Sequence, residues 1–229
     1  MRFYLLPIAA AVFFSQQLPA ANEKNEKKVS ERLDESALVL SEIMNANDKG
    51  IPEDLLEKAH CAVIVPGMKK GAFIVGGSYG KGFLTCRKTG GWSAPASIRI
   101  EGGSVGFQIG GSETDVVMLV MNERGAQKLM QSQFTLGGEG EVAAGPVGRT
   151  VTAQTDAKMT AEILGWSRTR GVFAGIALKG ATLRPDLDDN EALYGKRLET
   201  KEIVTGDMTS PAAATKLLSL LTKYSPHEK

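Results

Sequence analysis

Cysteine and histidine are scarce in this chain of 229 residues, with two of each. His60 and Cys61 are adjacent in the sequence, whereas Cys86 and His227 lie far from them and from each other. A structural zinc site needs four Cys or His ligands at characteristic spacings, so this composition excludes one. The same scarcity leaves few candidates for a catalytic base.

The chain also lacks a clear excess of either charge, because it has 27 basic and 26 acidic side chains. Removal of an N-terminal leader that contains Arg2 would leave 26 of each. A protein that coats nucleic acid carries a basic excess, so nucleic acid is disfavoured as a partner. Attraction to an anionic surface must therefore come from local patches of basic residues.

No apolar run is long enough to cross a bilayer, since the longest one near the N-terminus has about ten residues against the roughly 20 that a spanning helix needs. Arg2, that short run and the small residues around Ala20 are typical of a secretory leader over residues 1–21. We therefore expect an exported protein, periplasmic or secreted, and an uncleaved anchor is the alternative. A cysteine-anchored lipoprotein is not expected, because no cysteine lies near the end of the leader.

The two cysteines leave a choice open. In an oxidising compartment an even pair suggests one disulfide. Both residues also lie in apolar, strand-like segments, where cysteine often serves as a small buried hydrophobic residue. The sequence does not decide between the two.

Glycine is abundant and unevenly distributed. Eighteen of the 26 glycines fall between Gly71 and Gly148, and the triplet Gly-Gly-Ser occurs there three times, beginning at residues 76, 102 and 110. Glycine at this density between alternating apolar stretches suits bulged or tightly turning strands whose backbones approach closely. Long helices are not expected in this region.

Helices are predicted on either side of the glycine-rich region. Residues 22–28 read as a polar, solvated arm, and an amphipathic period then predicts a helix over residues 29–44. A short helix follows from Pro52 to about residue 59. Another is capped by Asn122 and continues to about residue 131. Ser210 as N-cap and Pro211 at the first helical position predict a C-terminal helix.

Strands are predicted over residues 61–65, 72–75, 79–87, 96–101, 104–109 and 116–121, followed by an irregular or edge segment over residues 143–157 and a hairpin of residues 161–168 and 172–183. The first six strands follow one another without intervening helices, which disfavours a parallel sheet. The fold class is therefore α+β, with a predominantly antiparallel, glycine-rich sheet that is barrel-like or a sandwich.

Several enzyme-like motifs fail on their context. Gly-x-Ser-x-Gly occurs around Ser78 and Ser104, but both serines enter further strands instead of the strand, turn and helix of a nucleophile elbow. The run 138–143 spells a loose dinucleotide fingerprint without a following helix. The acidic run 186–191 lacks the glycine and the final glutamate of a calcium loop, and we interpret it as a turn that caps a short helix. No catalytic residue, metal site or cofactor is predicted.

Basic residues near predicted turns are the candidate lipid contacts, namely Lys69, Lys70, Lys81 and Arg87. Each basic group near an anionic membrane surface contributes about 1 kcal/mol; ordinary solvated side chains are the alternative. The apolar face of the helix over residues 29–44, which includes Val29, Leu33 and Leu40, either packs on the core or inserts into a membrane interface.

Motifs along most of the chain resemble the SYLF domain, also called the Ysc84 or DUF500 family. They are Cys61-x-x-x-x-Pro66-Gly67, Lys70-Gly71-x-Phe73-Ile74-Val75-Gly76-Gly77, Tyr79-Gly80-Lys81-Gly82, Gly91-Trp92-Ser93-Ala94-Pro95, Gly103-Ser104-Val105-Gly106-x-Gln108-Ile109-Gly110, Gly145-Pro146-Val147-Gly148-Arg149, Ser167-Arg168-x-x-Gly171-x-Phe173-Ala174-Gly175 and Tyr194-Gly195. The resemblance implies a single domain over residues 29–224 with a tail at 225–229.

The resemblance implies a non-enzymatic module that binds anionic phospholipid membranes, with Lys69 and Lys70 in the family's basic stretch. Fungal relatives also bind actin, which is not expected to be a partner of an exported chain. The alternative function is a structural or protein-interaction domain of the cell envelope that forms a homo-oligomer or binds an envelope protein.

Overall fold

The computed structural model describes residues 20–46, 50–72, 75–105, 110–146, 161–169, 172–176 and 178–225. Its elements, in chain order, are α1 (Ala20–Asn45), α2 (Glu53–Lys58), β1 (Cys61–Ala72), β2 (Val75–Lys88), β3 (Gly91–Trp92), β4 (Ala96–Val105), β5 (Gly110–Val120), α3 (Glu123–Leu129), β6 (Phe134–Thr135), β7 (Val142–Ala144), β8 (Ile163–Thr169), β9 (Val172–Gly175), β10 (Thr182–Pro185), α4 (Leu187–Tyr194), α5 (Thr200–Thr205), a 3₁₀ turn (Ala212–Ala214) and α6 (Thr215–Tyr224). The leader and the final residues 226–229 lie outside the described ranges.

Within those ranges the strands form one curled, half-barrel sheet in the order β6-β10-β4-β2-β1-β5-β8-β7. β3 pairs with β2 and β9 pairs with β8. The pairs are antiparallel except β7 with β8, which is parallel. The predicted α+β class and antiparallel sheet are confirmed. Of the predicted irregular or edge segment, residues 143 and 144 lie in the edge strand β7, and residues 147–157 lie outside the described ranges.

The Gly-Gly-Ser triplets lie inside strands. β1 and β2 run through the positions where the sequence predicted breaks, and Gly71 pairs with Gly77 on one side and Gly111 on the other. Gly77 in turn pairs with Gly103, so four glycines stand in one row across four neighbouring strands. Hydrogen bonding to a strand on each side outweighs the weak strand propensity of glycine, which is why the shorter predicted strands are wrong in length.

Two hydrophobic layers cover the sheet. On the first face, α1, α2 and α6 pack on Ala62, Ile64 and Phe83. On the second face, Val63, Met118 and their neighbours pack under α3, α5 and the short strands. Because consecutive side chains of a strand point to opposite faces, the long β1 strand contributes to both layers.

Helix α1 begins at Ala20, so residues 22–28 form its first turns and are not a separate arm. Val29, Leu33 and Leu40 lie on its inner face and are fully buried. The alternative in which this face packs on the core is therefore the one that the structure shows. α2 after Pro52 is confirmed, as is α3 with Asn122 Oδ1 accepting a hydrogen bond from the backbone N–H of Gly125 at 2.8 Å.

Two local predictions need correction, and one helix was missed. The hairpin of β8 and β9 is confirmed, but the second strand stops at Gly175, and residues 182–185 form β10 at the far side of the sheet beside β4. Ser210 does not cap the C-terminal helix, because a 3₁₀ turn that starts after Pro211 precedes α6. Helix α5, with its capping box of Glu199 and Glu202, was not predicted.

Cys61 and Cys86 form a disulfide between directly paired positions of β1 and β2. Both residues are buried, so the two readings of the cysteines, as a bond and as core residues, are both correct. A separate finding concerns membranes: none of the helices in the described ranges is long and apolar enough to span a bilayer.

Candidate functional site: a basic strip on the first face of the sheet

Four cations from four strands lie on the first face of the sheet, beyond the helices that cover its centre. Lys69 of β1 pairs with Tyr79 of β2, and Lys81 of β2 pairs with Arg99 of β4. Arg99 in turn pairs with Arg184 of β10. Residues two apart on a strand share a face, so these side chains project to one side. We call Lys69, Lys81, Arg99 and Arg184 the basic strip.

Arg99 and Arg184 share a single acidic partner in the strip. They occupy directly opposed positions, where like charges are destabilising, and both contact the single carboxylate of Glu101. Arg99 Nε lies 2.8 Å from Glu101 Oε1, and Arg184 Nε lies 4.0 Å from Glu101 Oε2. Neither contact has the geometry of a hydrogen bond, and among the described residues neither Nε has a hydrogen-bond partner. Two guanidinium groups with one carboxylate leave an excess positive charge.

Tyr79 stands next to this pair and is 47% exposed, which is unusual for a large aromatic residue on a strand. It pairs with Glu101 on one side and with Lys69 on the other. Lys69 is exposed and is also paired with Glu113 of β5, which marks the edge of the strip. An exposed tyrosine between cations is suited to a boundary between apolar and aqueous phases.

Lys81 is held differently from the arginines. Its ammonium lies 2.7 Å from Asp186 Oδ2 and 3.0 Å from Asp189 Oδ1. Asp189 also receives a 2.6 Å hydrogen bond from Arg32 of α1, so the sheet, α4 and α1 are joined at one carboxylate. Burial by itself lowers the pKa of Lys81, but hydrogen bonds and charge from Asp186 and Asp189 outweigh it and raise the pKa above its ordinary value.

The acidic run after residue 185 therefore serves structure. Asp186 caps α4 by accepting a hydrogen bond from the backbone N–H of Asp189 at 3.1 Å. Gly195 ends the helix at a φ of 68°. This confirms the predicted capping turn, and it shows that Lys81, a candidate lipid contact, is already committed to two buried carboxylates.

Arg87 lies away from the strip. Its guanidinium donates to the carbonyl oxygens of Leu56, Glu57 and Ser225 at 3.0 to 3.2 Å and stacks over the Trp92 ring at 4.1 Å. It joins α2 and the end of α6 to the sheet. The interpretation of Arg87 as a free cation is not supported by these contacts.

Lys70 is exposed, but the two-residue period of the strand places it on the opposite face from Lys69, beside Ser78 and Ser112 in the register. The predicted lysine pair is therefore split between two faces.

Sequence reasoning missed Arg99 and Arg184. Arg99 occupies a polar position in the alternation of apolar and polar residues along β4, and this pattern could have identified it. Arg184 could not be identified in this way, because its position depends on β10 crossing the sheet to reach β4.

The fold and this surface together define an α+β domain that presents a strip of basic residues on a chain whose net charge is close to zero. The family model described as "Ysc84: Las17-binding protein actin regulator" matches residues 101–224. The chain belongs to the Ysc84 family, as the resemblance in its motifs suggested.

Similarity to individual proteins supports the same family assignment. The chain is 31% identical to the SH3 domain-containing YSC84-like protein 1 of Bos taurus over 210 residues, which cover 91% of this chain and 61% of that protein. It is 35% identical to the SH3 domain-containing protein PJ696.02 of Schizosaccharomyces pombe over 175 residues, 75% of this chain and 40% of that protein. It is 31% identical to Protein YSC84 of Saccharomyces cerevisiae over 202 residues, 86% and 43%. The chain thus spans about three fifths or less of the length of these relatives.

Proposed function

We propose that this protein is an exported, non-enzymatic module that associates peripherally with anionic phospholipid. The observation that carries the proposal is the opposed pair Arg99 and Arg184, which share one carboxylate. A phosphate group accepts bidentate hydrogen bonds from guanidinium and would supply the negative charge that the pair lacks. Lys69 adds a further cation at the same face.

Apolar contact with the membrane would come from Tyr79, not from the α1 residues that the sequence nominated. Val29, Leu33 and Leu40 are buried in the core, and their insertion would require α1 to leave the sheet. The hydrogen bond of Arg32 to Asp189 opposes that movement. Tyrosine is enriched at membrane interfaces, where its ring sits at the level of the headgroups.

The description of the matching family names a Las17-binding actin regulator. Because the N-terminal residues predict export, we propose lipid and not actin as the partner of this chain. Nothing in the proposed role requires turnover, a metal or a cofactor.

Sedimentation with vesicles tests the proposal. The leaderless protein is mixed with vesicles of phosphatidylcholine alone, or of phosphatidylcholine with phosphatidylglycerol, at low and high salt. Binding only to the anionic vesicles, weakened by salt, is the expected result. Equal binding to both kinds of vesicle, or to neither, would refute contact through the strip.

A second candidate function is self-association or binding of an envelope protein. It is favoured by a groove of about 330 Å³ beside the strip, whose lining includes Glu35, Glu113 and the half-exposed Leu38, together with Asp115 and its ion-pair partner Arg168. This acidic groove complements the basic strip in charge, so one copy of the chain would suit another. Sedimentation equilibrium of the protein without lipid distinguishes this function, since a salt-sensitive oligomer in solution is expected only here.

A further inference from the structure

A second concave surface lies near the C-terminal end of β2, between the β2–β3 turn and α6. It encloses about 710 Å³, and its lining includes Lys88, Trp92, Leu218 and Lys223. It shares no residue with the basic strip and is remote from it in the register of the sheet. It is therefore a separate candidate site.

The indole of Trp92 is held rigidly at this groove. Arg87 stacks over the ring at 4.1 Å, and Trp92 Nε1 donates to Ser225 Oγ at 3.3 Å. Arg87 is itself fixed by three backbone carbonyl oxygens. An aromatic ring that is only half-buried yet supported in this way is prepared for contact with a ligand, because little side-chain entropy remains to be lost.

Hydroxyl groups line the opposite wall. Thr215, Ser219 and Thr222 are spaced four and three residues apart on α6, so they share the face that borders the groove. All three residues are exposed. Leu218, half-exposed between them, adds a small apolar area. The Thr222 hydroxyl donates to the carbonyl oxygen of Leu218 at 2.9 Å and can still accept a hydrogen bond, while Thr215 and Ser219 add two further hydroxyl groups.

The charge of the groove is positive. Within the described part of the chain, its lining contains two lysines and no acidic residue. Lys88 is engaged, since its ammonium contacts the carbonyl oxygen of Gly206 and lies 3.6 Å from Asp207. Lys223 is exposed and lies 5.1 Å from the centre of the Tyr224 ring, which leaves its ammonium accessible to an anion.

The remaining wall is backbone. Gly90 and Gly91 form the tight turn between β2 and β3 with φ values of 90° and 152°. A Cβ atom at either position would meet nothing within 4 Å, so this side of the groove is open. A ligand can approach the turn closely from there.

We propose that this groove is a binding site for an acidic saccharide. A rigid aromatic ring, a wall of hydroxyl groups and a lysine suit a sugar ring that carries a carboxylate: the ring contacts Trp92, its hydroxyl groups exchange hydrogen bonds with α6, and the carboxylate pairs with Lys223. A bare phosphate would leave the aromatic ring and most hydroxyl groups unused. The proposal is independent of lipid binding by the basic strip.

Isothermal titration with a tetramer of galacturonic acid, a neutral tetramer of galactose and inorganic phosphate tests it. Binding of the acidic tetramer alone is expected, with a change in tryptophan fluorescence that reports on Trp92, because Trp166 is fully buried. Lys223→Glu should weaken the binding about tenfold or more, as loss of a hydrogen bond to a charged group implies. Lys201→Glu, an equal charge change at an exposed lysine outside the groove, should leave it unchanged.

Equal affinity for the neutral tetramer, binding of phosphate alone, or no binding of any probe would each overturn the proposal. So would an equal loss in the two lysine variants. Both substitutions are on the surface, and thermal unfolding of each confirms that it is folded. Vesicle binding by Lys223→Glu should remain close to that of the unmodified protein, which separates this site from the lipid surface.

Discussion

Replacement of Arg99 and Arg184 by glutamine is the perturbation that tests the basic strip most directly. Each basic group close to an anionic surface contributes about 1 kcal/mol, so the double variant should lose about 2 kcal/mol of binding free energy. That corresponds to roughly thirtyfold weaker partitioning onto vesicles that contain phosphatidylglycerol. The fold should tolerate the change, because two like charges at opposed positions are removed.

The control is a second double variant, Lys201→Gln with Lys216→Gln. Both lysines are exposed and lie outside the strip, and the change in net charge is the same. Sedimentation at low salt should show near-normal binding for this control and strong loss for the arginine variant. If the two variants lose binding equally, net charge alone governs association. If the arginine variant binds normally, the opposed arginines are not the lipid contact.

Further predictions follow from the contacts around the strip. Lys69→Glu should weaken vesicle sedimentation clearly more than Lys70→Glu, because the two side chains project from opposite faces; equal effects would place the membrane at the end of the strands instead. Asp189→Ala should lower the free energy of unfolding by about 3 kcal/mol, since it leaves Arg32 without its carboxylate partner and Lys81 with Asp186 alone, whereas the neighbouring exposed Asp188→Ala should change it by under about 1 kcal/mol in urea titrations. The raised pKa of Lys81 means that its ion pairs stabilise the fold fully below about pH 10.5 and that this stabilisation is lost as pH rises through the higher pKa of the folded state; wild type should therefore lose more stability than Lys81→Met between pH 9 and pH 11.5. Reduction of the disulfide should cost about 3 kcal/mol of stability in the same assay, and no change would mean that the bond is absent in solution.

The sequence predicted correctly those elements whose structure depends on residues nearby in the chain. Asn122 predicted the start of α3, and the run after residue 185 predicted the cap of α4, because each cap depends on hydrogen bonds over three or four residues. The amphipathic period of α1 likewise predicted its buried face. Its polar first turns carried no such period, so the start of the helix at Ala20 was missed.

The predictions that were wrong concern residues whose structure depends on partners far away in the sequence. A glycine triplet reads locally as a turn, and only the neighbouring strands on both sides make it a continuous strand with four glycines in a row. The candidate site shows the same limit. Lys69 was found from its place in a motif, but its separation from Lys70 onto another face follows from strand geometry once the segment is known to be extended.

Long-range register also decides which cations are free to act. The sequence nominated Lys81 as a lipid contact and did not nominate Arg184, but the contacts of the two residues favour the opposite choice. In the fold, Lys81 faces two buried carboxylates from α4, whereas Arg184 faces Arg99 and shares Glu101 with it. A satisfied cation stabilises the domain and an incompletely satisfied pair attracts an anion. The proposed anion-binding surface is therefore assembled by the crossing of β10 to β4, and a variant that disturbs that pairing should lose anion binding before it loses the helical core around α1.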